Sequence, residues 1–468
     1  MKALLAWACC LLCLVEPVGA ADGKRPNIVF IMADDLGYAH LGCYGQTRIQ
    51  TPHLDRLATE GMRFTSAYAG AAVCAPSRSV LMTGLHGGHS PVRGNSGGIP
   101  LLPEDVTVAE VLKGAGYVTG LFGKWGLGEH GTTGVPYKQG FDEFFGYLHQ
   151  IHAHFYYPEY LWQNDRKYPL PDNSDGRRGQ YTHDEIVAKA MEFVRSHRND
   201  HFFLYVPFAV PHYELLVPEE SLAQYVGKFP ETPYEGRGRS TGYPHDYAKQ
   251  ASPKAATAAI ISHMDRSVGK LLRLLKELQL EDNTIVFFTS DNGATGGASD
   301  PQFFKACGPF RGRKGTLWEG GLRVPMIVRW PGKISPGSLS DHPWYFADVL
   351  PTLAELGQAT VAHGVDGISV VPTLLGETTA GRKQPAHEFM YWERKGASAV
   401  RTGHWKAIRP AGEGKLTLYD LSVDPGETKD VVADHPDVVA RIKKYLATAR
   451  TEPRPQTEPT RPAGRQFQ

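Results

Sequence analysis

Two segments far apart in the chain share one pattern, and that pattern limits the fold. One is "NIVFIMADDLGY", beginning at Asn27; the other is "NTIVFFTSDNGATGG", beginning at Asn283. In each, an apolar β-rich run (Ile28 to Met32, Ile285 to Thr289) leads into two adjacent oxygen-bearing side chains and a turn. The pairs are Asp34–Asp35 and Asp291–Asn292. Strands that are apolar at every residue, not at alternate ones, belong to sheets covered on both faces. In such sheets ligands bind outside the carboxyl ends of the strands. Both pairs are therefore expected to meet at one end of one sheet.

Further strands are expected in "AGYVTGLFGKWGLG", ending at Lys124, in "HFFLYVPFAVPH", ending near His212, and in "GLRVPMIVRWPG". Helical patterns lie between them. "TPHLDRLATEG" runs from Pro52 to a stop at Gly61, and "SPKAATAAIISHMDRSVGKLLRLLKELQL" gathers Ile261, Met264, Val268, Leu271, Leu272 and Leu275 on one side. Alternating strands and helices imply a large α/β domain with a parallel or mixed sheet, read here as residues 24–375. After Gly376 the texture changes to short strands and turns, then a final helix in "DVVARIKKYLATAR". Residues 376–450 thus read as a smaller C-terminal α+β domain. Residues 451–468, rich in Pro and Arg without apolar periodicity, read as a disordered tail.

The first residues read as a secretory signal peptide: Met1–Lys2, an apolar run too short to span a membrane, and small residues Val18 and Ala20 before a cleavage point. The expected location is outside the cytoplasm, periplasmic or secreted, with no stable membrane insertion. No Asn-x-Ser/Thr acceptor occurs, which points toward a bacterial exported protein rather than a heavily glycosylated animal one. A formal net charge of +1 gives no global field toward nucleic acid or anionic membrane, so neither is expected as a partner. Of six cysteines, Cys9, Cys10 and Cys13 leave with the leader, and Cys43, Cys74 and Cys307 remain. Three is odd, so at least one has no intramolecular partner. Their scattered spacing does not fit a structural zinc site.

The chemistry-bearing residues fall at strand and helix ends. Asp34, Asp35 and Asp291 with Asn292 offer three carboxylates and an amide. Carboxylates meeting at one point resist ionisation unless a cation lies among them. All-oxygen ligation suits a hard divalent ion, Ca²⁺ or Mg²⁺, over zinc. A single such pair would more often cap a turn; two pairs, each closing an apolar strand, favour the metal. "CAPSRSVLMTG" puts Cys74 just before an expected helix start, with Ser77 as a candidate cap and Arg78 one turn on. Alone, Cys74 fits a buried packing residue, a nucleophile or a precursor of something else.

That segment resembles the signature of the type I sulfatases, within the alkaline phosphatase superfamily. "NIVFIMADDLGY", "GKWGLG", "VPFAVPH", "TSDNG" and "FRGRKGTLWEGGLRVP" extend the resemblance over nearly the whole mature chain. It implies an alkaline phosphatase-like mixed sheet with helices on both faces. It also implies a sulfuric-ester hydrolase in which a formylglycine-generating enzyme converts Cys74 to 3-oxoalanine (formylglycine) during export. The hydrate of that aldehyde would attack sulfur, form a covalent enzyme–sulfate and expel sulfate by reforming the aldehyde. By the same resemblance, Asp34, Asp35, Asp291, Asn292 and modified Cys74 hold the metal, and Arg78 steadies the hydrate. Lys124 and Lys314 hold sulfate oxygens, and His212 protonates the leaving alcohol.

One position departs from the family. Many members carry histidine where this chain has Gly126. His152 or His154, from "LHQIHAHFYYPEYLW", is a candidate to take that role, with a His/aromatic packing surface as the alternative. Arg93 and Asn95 are candidate substrate contacts. The expected substrate is a sulfated carbohydrate or an aryl sulfate. The competing readings are a phosphodiesterase or phosphonate hydrolase of the same superfamily, and a glycan-binding protein that never acquires formylglycine.

Overall fold

The computed structural model describes residues 25–95, 99–236 and 247–455. The leader expected at residues 1–20 and residues 456–468 of the tail lie outside them. Among the described residues, sixteen strands occur. In the first half are β1 (Asn27–Ala33), β2 (Met62–Phe64), β3 (Ala67–Tyr68), β4 (Val118–Lys124), β5 (Glu143–Tyr147), β6 (Tyr160–Gln163), β7 (Arg166–Pro169) and β8 (Phe202–Pro207). In the second half are β9 (Thr284–Ser290), β10 (Met326–Arg329), β11 (Ser338–Ser340), β12 (Trp344–Tyr345), β13 (Met390–Arg394), β14 (Ala397–Thr402), β15 (Trp405–Arg409) and β16 (Thr417–Asp420).

Ten strands form one mixed sheet in the order β11-β2-β10-β9-β1-β8-β4-β5-β6-β7. Its middle, β9-β1-β8-β4-β5, is parallel throughout. β10 is antiparallel to β9 and β2, and β6 and β7 close the other side as antiparallel strands. The two segments that opened the argument are neighbours: Ala33 pairs with Ser290 in a parallel register, so Asp34 and Asp291 leave the sheet side by side.

The uninterrupted apolar sequence of β1 follows from burial on both faces. Ile28, Phe30 and Met32 pack into one core with the helices Cys74–Thr83, Val108–Gly114 and Val349–Leu356. Val29, Ile31 and Ala33 pack into the other with Pro52–Thr59, Thr182–Ser196 and Pro253–Glu277. Successive side chains of a strand point to opposite faces, so a strand that loses all water contact must be apolar at every position. Each fully buried large side chain contributes about 1.5–3 kcal/mol of transfer free energy. That drives β1 to the middle of the sheet. The strand expected to end near His212 stops at Pro207, and a short loop carries His212 onward.

β13 to β16 form an antiparallel meander. Tyr391, Val400, Ala407 and Leu418 face the helix Pro436–Thr448, through Val438, Ile442 and Leu446. The adjacent residues Trp392, Ala399, Ile408 and Tyr419 face the other way, into the core of the large sheet. The Trp392 indole N–H donates to the Ala69 carbonyl at 2.9 Å. At the start of the tail, Arg454 pairs with Asp105 at 2.6 Å and Arg93 donates to the Thr451 carbonyl at 2.8 Å.

A buried ion cluster joins the meander to the large unit. Lys406 on β15 lies 2.9 Å from both Glu319 and Glu427, and all three are fully buried. Burial alone would raise the Glu319 pKa, but Lys406, Arg323 and Arg401 hold it down at about 2. Removing one partner of such a group leaves an uncompensated buried charge. Lys406→Met, which keeps most of the volume, is therefore expected to destabilise the protein by about 3–5 kcal/mol in chemical denaturation. A loss below about 1 kcal/mol would show that the cluster does not hold the two units together.

Candidate active site

Four parallel strands deliver their ends to one place. Asp34 and Asp35 follow β1, Lys124 ends β4, His212 follows β8, and Asp291 and Asn292 follow β9. Asp35 has φ of 68°, a left-handed conformation that Asp and Asn tolerate better than most residues and that turns its carboxylate back toward its neighbour. The Asp291 N–H donates to the Ala33 carbonyl at 3.1 Å, and the Asp35 N–H donates to the Asp291 carboxylate at 3.1 Å. These bonds lock the two strand ends together.

Cys74 comes from a helix and not from a strand end. The helix starts at Cys74 itself, and all ten of its residues to Thr83 are buried. The sequence pattern alone places the start later, with Ser77 as cap. Instead Ser77 lies inside the first turn and its hydroxyl accepts from the Gly70 N–H at 3.0 Å. The cap comes from a distant residue: Asn95 Oδ1 accepts the Ala75 N–H at 2.8 Å. Pro76 fits here because donors in the first turn have no intrahelical acceptor.

The side chains converge tightly. Cys74 Sγ is 3.2 Å from Asp34 Oδ1 and 3.9 Å from Asp35 Oδ1. Lys124 Nζ lies 2.5 Å from Asp34, and Lys314 Nζ lies 2.6 Å from Asp35 and 3.6 Å from Cys74 Sγ. His212 Nε2 is 3.1 Å from Lys314 Nζ and 3.4 Å from Asp35. Arg78 donates to Asp291 at 2.8 Å and to the Lys124 carbonyl at 2.6 Å, so it braces two strand ends at once. Every residue expected at the centre (Asp34, Asp35, Cys74, Arg78, Lys124, His212, Asp291, Asn292, Lys314) lies in this cluster. Asp34, Asp35, Cys74 and His212 offer donor atoms within 4.8 Å of one another.

Three carboxylates face three cations in a dry site. Burial opposes ionisation of Asp34, yet Lys124, Arg78 and Lys314 outweigh it and hold that carboxyl below the ordinary range. Burial raises Asp35 despite Lys314, and burial with Asp34 pushes Asp291 up to about 7 against the pull of Arg78. Asn292 Nδ2 donates to Asp35 at 2.8 Å, whereas its fully buried Oδ1 has no hydrogen-bond partner. Buried amide oxygens are nearly always satisfied. A hard divalent cation fits this donor set on both counts: oxygen ligands, and an amide oxygen left without a partner.

With that geometry in hand, comparison with known proteins is decisive. The Sulfatase family model matches residues 26–359. The chain belongs to the sulfatase family. It is a sulfuric-ester hydrolase, and the resemblance read from "CAPSRSVLMTG" is borne out. A second family model, N-sulphoglucosamine sulphohydrolase, C-terminal, matches residues 312–452. Arylsulfatase A of Homo sapiens is 33% identical over 503 residues, covering 92% of this chain and 89% of its own. N-acetylgalactosamine-6-O-sulfatase of Bacteroides thetaiotaomicron is 29% identical over 519 residues, covering 93% and 95%. Among solved structures, Ps i-CgsB in complex with k-i-k-neocarrahexaose superposes with a TM-score of 0.75 at 28% identity, covering 92% of this chain and 94% of that one.

The sulfatase chain also reveals what fills the space beside Gly126. Gly126 has φ of +84°, and a Cβ built on it would lie 1.9 Å from Gln150 Nε2. The Gln150 carboxamide, buried and with neither end hydrogen-bonded, occupies the position of a side chain at 126. Neither candidate histidine does so. His152 packs against Tyr147 and Tyr160, with ring centroids 5.0 and 4.7 Å away, and burial lowers its pKa to about 3. His154 does reach the cluster, but behind His212: the two rings stack at 3.8 Å, and Tyr247 Oη lies 3.1 Å from His154 Nδ1. Gln150 carried no signal in the sequence, because only the loop after β5 brings it against Gly126. Gly126→Ala is expected to cost about 2 kcal/mol, from the positive φ and the displaced amide. Adding Gln150→Ala should return about 1 kcal/mol of that in a double-mutant cycle. Additive losses would mean that the two positions do not meet.

Cys43, Cys74 and Cys307 are all free thiols. A second polar cluster, His86, His89 and Asp366, lies beyond the far end of the Cys74 helix. His86 Nδ1 accepts the Gly88 N–H at 3.0 Å, so the neutral ring carries its proton on Nε2, toward Asp366. With the two imidazoles stacked at 4.2 Å, the group holds a loop together around one carboxylate.

Proposed function

We propose that this sulfatase cleaves the sulfate ester of a sulfated carbohydrate or aryl sulfate through formylglycine at position 74 and a divalent cation, Ca²⁺ or Mg²⁺. The observation that carries the reading is the Cys74 side chain, held at a helix start beside Lys314 and facing two strand-end carboxylates. The unmodified thiol is a poor nucleophile there, because burial and Asp34 push its pKa far above the ordinary thiol range. Converted to the aldehyde and hydrated, residue 74 would supply one hydroxyl to attack sulfur and a second to expel sulfate. A cation held by Asp34, Asp35, Asp291 and Asn292 would acidify a hydroxyl at residue 74 and offset sulfate charge.

The remaining roles belong to the chain itself. Lys124 and Lys314 are placed to exchange part of their carboxylate contact for sulfate oxygens. His212 Nε2, beside Lys314, is the proton donor to the leaving alcohol. Arg78, fully paired, is a positioning residue that fixes Asp291 and the Lys124 backbone. We further propose residues 24–375 as the catalytic domain, 376–450 as the C-terminal domain, and export with a formylglycine-generating enzyme as the maturation partner.

The test uses protein co-expressed with a formylglycine-generating enzyme and assayed on p-nitrophenyl sulfate, p-nitrophenyl phosphate and bis(p-nitrophenyl) phosphate. Sulfate hydrolysis that EDTA abolishes and Ca²⁺ restores is expected. Hydrolysis of the phosphodiester but not the sulfate would overturn the reading.

A further inference from the structure

The loop that carries Lys314 into the cluster has a second face. A cavity of about 560 Å³ is lined on that face by Lys305, Phe310, Arg311, Arg313 and Trp318, with no Asp or Glu among its lining residues. Its volume is that of a small-molecule site. The flanking acid, Asp300, is turned toward Lys254 at 3.5 Å. Two of the cations are held in position. The Arg311 guanidinium lies 3.8 Å over the Trp318 ring and donates to the Glu427 carbonyl at 3.0 Å. The Arg313 guanidinium lies on Gly296, where a Cβ would come within 2.0 Å of its Nη1. Among the described residues, neither Lys305 nor Arg313 has a carboxylate partner. Three cations, Lys305, Arg311 and Arg313, concentrated on one cavity wall stand out in a chain whose net charge is only +1.

We propose that this cavity is a subsite for a second anionic group, sulfate or carboxylate, of a saccharide chain whose scissile sulfate lies at Lys314. The inference rests on the sulfatase reading above and narrows it from any sulfate ester to polyanionic glycans. Guanidinium forks match the geometry of sulfate and carboxylate oxygens. Arg313 adjoins Lys314 in sequence, so the cavity wall begins about 4 Å along the backbone from a sulfate-facing lysine. A ligand that fills both places must be an extended chain with repeated negative charge.

The probe is fluorescein-labelled dextran sulfate, followed by anisotropy, with neutral dextran as control. In wild-type protein the sulfated polymer should bind and the neutral one should not. Lys305→Ala/Arg313→Ala should weaken binding by about tenfold or more, with kcat/KM on p-nitrophenyl sulfate unchanged within about twofold. Lys443→Ala/Lys444→Ala, on the exposed face of the last helix, should leave binding as it was. Lys305→Glu, on an exposed side chain away from Lys314, should match the double variant, which guards against local disruption. Equal affinity in wild type and the Lys305/Arg313 variant, or an equal loss in the Lys443/Lys444 control, would overturn the subsite. Failure of wild-type protein to turn over p-nitrophenyl sulfate would instead sink the sulfatase mechanism, and the binding comparison would still read the cavity.

Discussion

Cys74→Ala is expected to abolish hydrolysis of p-nitrophenyl sulfate, by on the order of 10⁴-fold or more in kcat, in a protein that still folds. The reason lies in what surrounds the side chain. Residue 74 is the group through which the proposed chemistry passes, and no neighbour can replace it. Asp34 and Asp35 are engaged by lysines, and His212, beside Lys314, has the proposed role of proton donor to the leaving alcohol. The structural effect should be small. The helix from Cys74 to Thr83 is held by Asn95 at its start and by buried Val80, Leu81 and Met82 along its length. Losing one small buried sulfur should cost about 1–2 kcal/mol. Retained unfolding cooperativity with vanished turnover is the expected pair of results. Residual turnover within about tenfold of wild type would mean that residue 74 is not the nucleophile's source.

Asp35→Asn should lower kcat by about 10³-fold, equivalent to about 4 kcal/mol of transition-state stabilisation. The substitution is chosen because Asn tolerates the left-handed φ of 68° that residue 35 adopts, so backbone strain does not confuse the outcome. It removes one negative charge from a site where Asp34, Asp35 and Asp291 are proposed to hold a divalent ion, and it frees Lys314 from its 2.6 Å partner. Addition of Ca²⁺ should raise the Tm of the wild-type protein, because a ligand that binds only the folded state stabilises it by about 2.7 kcal/mol at a hundred times its Kd. The variant should lose most of that rise. A full Ca²⁺-dependent rise in Asp35→Asn would remove Asp35 from the metal site, whatever happened to kcat.

The parts of this account that were legible in the sequence share one property: each is written in adjacent residues. β1 and β9 could be read because a strand buried on both faces is apolar at every position, and because Asp34–Asp35 and Asp291–Asn292 follow directly. Lys124 could be read as the end of β4 for the same reason. What could not be read depends on contacts between distant segments. β2, β6 and β7 are short and partly exposed, and carry no periodicity. The cap on the Cys74 helix is Asn95, supplied from beyond the helix, whereas proximity alone points to Ser77. Gln150 meets Gly126 only because β4 and β5 are parallel neighbours whose following loops converge. Of the two histidines proposed for that place, His152 is drawn into aromatic packing and His154 backs His212. A 3.6-residue or two-residue period carries no information about either outcome.

The central claim is that Cys74 is a precursor rather than a working thiol. Mass spectrometry of the tryptic peptide Phe64–Arg78, from protein made in its native host or co-expressed with a formylglycine-generating enzyme, tests it most directly. The account predicts a peptide in which the thiol has been replaced by an aldehyde, reactive toward hydrazides. A peptide that carries only the unmodified thiol, from protein that nevertheless hydrolyses sulfate esters, would contradict it.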